Sequence, residues 1–101
     1  MVKIILNRDY LLTETERLAI KVIKAERKEY PFGYKIKCQY MVFKRGNWIP
    51  VVRADNTKHK FKISKMHIHR IDKKEVKEIN LRLKDIEDYV IKLGRMLKNK
   101  L

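Results

Sequence analysis

Apolar and polar residues alternate along much of the first two thirds of this chain, which is the pattern of half-buried β-strands. The alternation is strictest from residue 34 to 43, and a Lys-Arg-Gly-Asn run typical of a hairpin turn follows it. Shorter apolar segments at 2–6, 48–54 and 65–71 predict further strands. The apolar face of the strictest strand carries Tyr34, Ile36, Cys38, Tyr40 and Val42.

The segment from residue 11 to 29 fits two different patterns. Thr13 and Glu16 have the spacing of a helix capping box. Leu18, Ile20 and Val22 instead alternate as they would in a strand. The pattern leaves both structures open here, and Asn7-Arg8-Asp9 just before the segment predicts a turn.

The last third of the chain has helical periodicity. Asp72 is a good N-cap, and Glu75 stands three residues later as its capping partner. Apolar residues then recur at spacings of three and four: Val76, Ile79, Leu83, Ile86, Val90, Leu93 and Leu97. This pattern predicts an amphipathic helix over 72–100 whose apolar stripe covers the sheet, with a homodimer seam as the alternative use of that stripe.

These elements predict an α+β fold, an antiparallel sheet of about four to five strands covered by one long C-terminal amphipathic helix. The 101 residues are enough for one domain, 1–101, with 1–71 mostly sheet and 72–100 helix. An apolar content of 45% is ordinary for a globular protein.

Charge is the outstanding global feature of the sequence. The 26 Lys and Arg against 12 Asp and Glu give a formal net charge of +14, of which residues 57–101 carry +8. Such a charge attracts polyanions, so we expect RNA as a partner. No apolar run approaches the roughly 20 residues that span a bilayer, so no membrane partner is expected. Cys38 stands alone, which fits a reducing cytoplasm.

Candidate chemistry lies between Trp48 and Ile71. His67 and His69, two positions apart on a predicted strand, project to the same face. Imidazole takes and gives protons near neutral pH, so the pair could act as acid and base on a ribose 2′-OH and a leaving 5′ oxygen. Phosphate binding would come from cations nearby in the sequence: Arg53, Lys58, Lys60 and Arg70.

Asp55 and Asn56 complete the candidate site. Asp55 could orient a histidine or act as a base itself, and Asn56 could position a histidine or an RNA base; Asp-Asn is also a common turn pair. A His-x-His metal site, completed by Asp55 or His59, is the other chemical hypothesis. The surrounding cations oppose it, so we expect no metal and no cofactor.

The Arg53-x-Asp55-Asn56 stretch, the downstream His67-x-His69 and the single helix after it resemble the TumE-like family of small toxins from toxin–antitoxin systems. The resemblance covers about residues 17–100 and favours a strand over about 17–26. Ala54 departs from the pattern because the family usually has Tyr there, and the connector to His67 is longer than is common.

The resemblance implies a cytoplasmic, RNA-cleaving toxin neutralised by a cognate antitoxin protein. Together with the histidine pair it predicts a metal-independent endoribonuclease with His67, His69 and Asp55 as catalytic residues. The alternative is a non-catalytic nucleic-acid-binding protein that uses its basic surface for affinity.

Overall fold

The computed structural model describes residues 3–24, 34–56, 66–79 and 82–100, apart from the side chains of residues 3, 74–76 and 83. Each strand is hydrogen-bonded to the next one in the chain, so the sheet is an antiparallel meander in the order β1 to β6. The strands are β1 Lys3–Thr13, β2 Glu16–Lys24, β3 Tyr34–Lys44, β4 Asn47–Asp55, β5 His67–Arg70 and β6 Lys73–Glu78. One helix follows, α1 Leu83–Lys98.

The α+β class and the covering C-terminal helix are confirmed, but the sheet has six strands instead of the four or five predicted. The hairpin after β3 lies where the sequence predicts it. Arg45 and Gly46 both have positive φ, 54° and 80°, as a two-residue type I′ turn requires.

The described part of the ambiguous segment, 11–24, is strand on both sides of a turn at 14–15. Glu16 begins β2, whose residues Leu18, Ile20 and Val22 are all buried. The predicted turn at Asn7-Arg8-Asp9 is wrong, because these residues lie inside β1 and pair with β2. Pairing with a neighbouring strand here outweighs the turn propensity of Asn and Asp.

The helix begins eleven residues later than predicted, at Leu83 instead of Asp72. Asp72 lies in the turn between β5 and β6, and Arg70 donates to both of its carboxylate oxygens at 2.9 Å. The residues after it pair with β5 as the edge strand of the sheet. Strand pairing satisfies their backbone groups, so the capping box at 72–75 goes unused.

The helix covers β3 and β4 and buries its apolar stripe there. Ile86, Val90 and Leu97 are each at most 2% exposed, so the stripe covers the sheet as expected and is not available as a dimer seam. Gly94 permits close packing, since a Cβ there would lie 2.6 Å from Cγ of the buried Tyr40 ring. No helix in the described residues is long and apolar enough to cross a bilayer.

A buried carboxylate fastens the helix to the covered face. Glu16 accepts a hydrogen bond from the Tyr40 hydroxyl, another from Arg95 Nε at 2.9 Å, and lies 3.4 Å from Lys98 Nζ. The Arg95 hydrogen bond is the main cause that lowers the pKa of Glu16 to about 2. Glu16 is therefore ionised throughout the neutral range.

Candidate functional site

The candidate site lies on the face of the sheet that α1 does not cover, which we call the open face. Successive strand residues point to opposite faces, and Ala54 and Ile68 are buried on the covered face. Asp55 and His67 are therefore on the open face, directly opposite each other in the β4–β5 register. Arg53 and His69 form the adjacent pair on the same face. The register thus brings together four of the residues that the sequence singled out.

The Asp55 carboxylate is the centre of the group. Its Oδ1 lies 2.7 Å from His67 Nε2. Its Oδ2 lies 2.7 Å from Arg53 Nε and 3.5 Å from His69 Nε2. The two imidazole rings meet edge to face, with centroids 4.9 Å apart. One carboxylate therefore orients two histidines and one guanidinium.

Burial divides the four residues into two pairs. The Asp55 and His67 side chains are 4% and 5% exposed. The His69 side chain is 24% exposed and that of Arg53 is 39% exposed. His69 and Arg53 can therefore meet a ligand from solvent, whereas Asp55 and His67 support them from beneath.

The same atoms include a donor set suited to a metal ion. One ligand atom from each of Asp55, His67 and His69 lies within 4.8 Å of the others, and two imidazoles with a carboxylate can bind Zn²⁺ or Fe²⁺. Arg53 competes for the same carboxylate, because its Nε already lies 2.7 Å from Oδ2. A metal ion would have to displace that guanidinium.

Two residues predicted to bind substrate have hydrogen-bonding partners within the fold. Asn56 accepts a hydrogen bond from the backbone N–H of Ile36 and donates one to the carbonyl of Tyr34, both at 2.8 Å. Asn56 therefore extends the β3–β4 pairing. Arg70 alternates with His69 along β5 and is paired with Asp72, and it also lines the depression that Arg53 and His69 line.

Two further predicted cations, Lys58 and Lys60, lie outside the described residues, as does His59. The structure also locates Ala54, which stands where the TumE-like family usually has Tyr. Ala54 is fully buried on the covered face, opposite Cys38 and Ile68 in the strand registers. A side chain at this position points to the helix side of the sheet, so it would not stack on a substrate beside Asp55.

Depressions beside the cluster include residues that sequence reasoning missed. One, of about 210 Å³, is lined by Arg53, His69 and Gln39 among others. The next, of about 220 Å³, shares Gln39 and extends towards β1 past Lys37 and Lys21. Strand alternation places Lys37 on the polar face of β3. Its proximity to the histidines depends on the β3–β4 register, which the sequence alone does not give.

Comparison with protein-family models, with curated proteins and with solved structures finds no match to this chain.

Proposed function

We propose that this protein is a metal-independent endoribonuclease that acts as the toxin of a toxin–antitoxin pair. The observation that carries the proposal is the Asp55 carboxylate, whose side chain is 4% exposed and which holds two histidines and Arg53 beside a groove open to solvent. The net charge of +14 supports RNA as the substrate, because it favours encounter with polyanions.

His69 is the group that exchanges protons with the RNA. Its imidazole takes the proton of a ribose 2′-OH, and the 2′ oxygen attacks the adjacent phosphorus. The bond from phosphorus to the 5′ oxygen breaks, which leaves a 2′,3′-cyclic phosphate. The 5′ oxygen leaves with a proton from solvent water, and His69 returns its own proton to solvent. Proton transfer of this kind typically contributes about 10²–10⁴-fold in rate.

The other three residues serve this step in two ways. Arg53 is 39% exposed, and its guanidinium can bind the scissile phosphate and stabilise the charge that develops on it. Asp55 and His67 are positioning residues, because they are buried. Asp55 favours the imidazolium that His69 becomes, since an anion stabilises a nearby cation.

The decisive experiment is cleavage of RNA by the purified protein in EDTA. We expect cleavage with 2′,3′-cyclic phosphate ends, abolished in a His67→Ala/His69→Ala double variant that still binds RNA. His69→Gln is the second variant, because His69 is partly exposed and its replacement leaves the buried His67 in place. Arg53→Gln, which should lower cleavage, is matched by Arg82→Gln, since Arg82 is an exposed arginine at the start of α1.

Each other outcome assigns a different function. RNA binding without cleavage by the unmodified protein would indicate the non-catalytic nucleic-acid-binding protein. Cleavage that EDTA abolishes and a divalent metal restores would indicate a metal enzyme with Asp55, His67 and His69 as ligands. Cleavage that survives in His69→Gln would overturn the assignment of His69.

The toxin role rests on the resemblance of Arg53-x-Asp55-Asn56 and His67-x-His69 to the TumE-like family. We expect induced expression in bacteria to arrest growth and His69→Gln at equal expression to be harmless. A cognate antitoxin, encoded beside the toxin, should restore growth. Equal growth arrest by both forms would contradict a toxin that acts by RNA cleavage.

A further inference from the structure

The strand registers align two neighbouring rows of residues across the open face. Neighbouring strands lie about 4.8 Å apart, so β2 and β5 are separated by about 14 Å. The first row, from β1 to β5, is Asn7, Lys21, Lys37, Asp55 and His67. The second row is Asp9, Ala19, Gln39, Arg53 and His69.

The charges along these rows are unevenly compensated. Lys21 and Lys37 are exposed side chains that face each other across β2 and β3. The carboxylate of Asp9, by contrast, is held by Arg17 through two hydrogen bonds of 2.6 and 2.7 Å. The carboxylate of Asp55 is paired with Arg53, His67 and His69 within the candidate site. The open face therefore presents excess positive charge in a line that leads from β2 to the candidate site.

We infer that a single strand of RNA lies across the open face from β2 to β5, with its phosphates on Lys21, Lys37 and Arg53. This inference rests on the proposed function, because it extends the same site. The two adjoining depressions, which share Gln39, give the strand a continuous path to His69.

Two features of the path favour a single strand over a duplex. Ala19 is small and Gln39, directly opposite it, can both donate and accept, so a base placed over Ala19 finds space and a neighbouring hydrogen-bonding group. Proteins read bases mainly in single-stranded RNA, where the bases are free to leave the stack. Attack by a 2′ oxygen also needs a backbone free to rotate, which pairing in a duplex restricts.

The test measures binding in the His69→Gln background, so that cleavage does not interfere. The probe is a single-stranded RNA of about 12 nucleotides, within the range that one small domain covers. Lys21→Gln/Lys37→Gln is compared with Lys84→Gln/Lys92→Gln, which removes the same charge from exposed positions on α1.

Each phosphate contact on a single strand contributes about 0.7 to the slope of log affinity against log salt. Loss of Lys21 and Lys37 should lower that slope by about 1.4, which corresponds to about 25-fold weaker binding at 0.1 M salt. The control variant Lys84→Gln/Lys92→Gln should keep the slope of the His69→Gln protein. A duplex of the same length and polyglutamate of similar charge should bind more weakly than the single strand.

Equal losses of RNA affinity in the two double variants would overturn the inferred RNA path, because net charge alone would then explain binding. Tighter binding of the duplex or of polyglutamate would overturn it in favour of double-stranded RNA or an acidic protein. These failures are separate from failure of the proposed function. If the protein binds RNA through Lys21 and Lys37 but never cleaves it, the inferred RNA path stands and the proposed nuclease activity is wrong.

Discussion

Glu16 and Asp55 are two buried carboxylates on opposite faces of the same sheet, and each is 3% exposed. Glu16, on the covered face, is bound by Tyr40, Arg95 and Lys98. Asp55, on the open face, is bound by Arg53 and two histidines. Burial and the presence of basic partners are thus common to both clusters.

The partners are what distinguish a structural cluster from a candidate reactive one. Arginine and lysine stay protonated at neutral pH, so the cluster around Glu16 holds its charges fixed and fastens α1 to the sheet. Histidine exchanges its proton in that range, so the cluster around Asp55 can transfer protons to a ligand. A buried carboxylate alone would therefore not locate the functional site in this molecule.

The largest expected effect is on catalysis, from Asp55→Asn. The amide keeps the shape of the carboxylate but not its charge, so the imidazolium of His69 loses its counter-ion. We expect kcat for RNA cleavage to fall on the order of 10²–10⁴-fold, while KM changes little because Lys21 and Lys37 still hold the RNA. Steady-state kinetics on a fluorogenic RNA gives both constants.

Circular dichroism of the same sample serves as the control for folding. A parallel rise in KM, or loss of the cooperative thermal transition, would assign Asp55 a mainly structural role. The comparison of the two carboxylates would then fail, because both would belong to the scaffold.

Glu16→Gln should have the opposite profile, with stability lost and cleavage by the folded protein retained. Breaking a buried ion pair costs about 3–5 kcal/mol, and we expect about 3 kcal/mol here. The lower end applies because Arg95 and Lys98 are 49% and 36% exposed and can regain water. Urea unfolding measures the loss, and initial rates below the transition measure the cleavage.

The same cluster predicts a dependence of stability on acid. Arg95 is the main cause that lowers the pKa of Glu16 from its ordinary value of 4.5 to about 2. The folded state therefore gains stability from Glu16 above about pH 4.5 and loses it as the pH falls towards 2. The stability difference between the natural protein and Glu16→Gln should shrink across this interval, and a constant difference would contradict the assignment.

Part of the sheet could be predicted from alternation, because one face of β2 and of β3 is buried and the other is not. Cys38, Tyr40 and Val42 follow that rule, and the hairpin at Arg45 and Gly46 lies where its turn residues predict it. The start of the helix could not be predicted in this way. Residues 73–78 instead fold back onto β5 as a hairpin, and this strand pairing outweighs the helix-capping pattern at 72–75.

The candidate site, like the fold, could be predicted only in part from the sequence. His67 and His69 are two residues apart on one strand, so their common face follows from strand geometry. Their approach to Asp55 depends on the β4–β5 register, and the contribution of Lys37 depends on the β3–β4 register. Registers join residues that are distant in sequence, which explains why Lys21 and Lys37 were missed.

Gly94→Ala should destabilise the covered face by about 2 kcal/mol. Alanine improves helix propensity by about 1 kcal/mol, but its Cβ would lie 2.6 Å from Cγ of the buried Tyr40 ring. Overpacking of this kind costs about 1–3 kcal/mol or more, and the ring has no free side to move into because Tyr40 is fully buried. Thermal unfolding checks the loss, and an increase in stability would show that the helix shifts freely on the sheet.

Asn56→Ala has the smallest expected effect and decides between two roles for that residue. The amide makes two hydrogen bonds of 2.8 Å to the backbone of β3, at Ile36 and Tyr34. Their loss should cost about 1 kcal/mol in urea unfolding, because water can replace part of the lost bonding at this half-exposed position. The kcat of RNA cleavage should stay within about twofold of the natural protein, since both hydrogen bonds of the amide are to the backbone of β3. A large fall in kcat with unchanged stability would instead return Asn56 to the substrate-binding role that the sequence suggested.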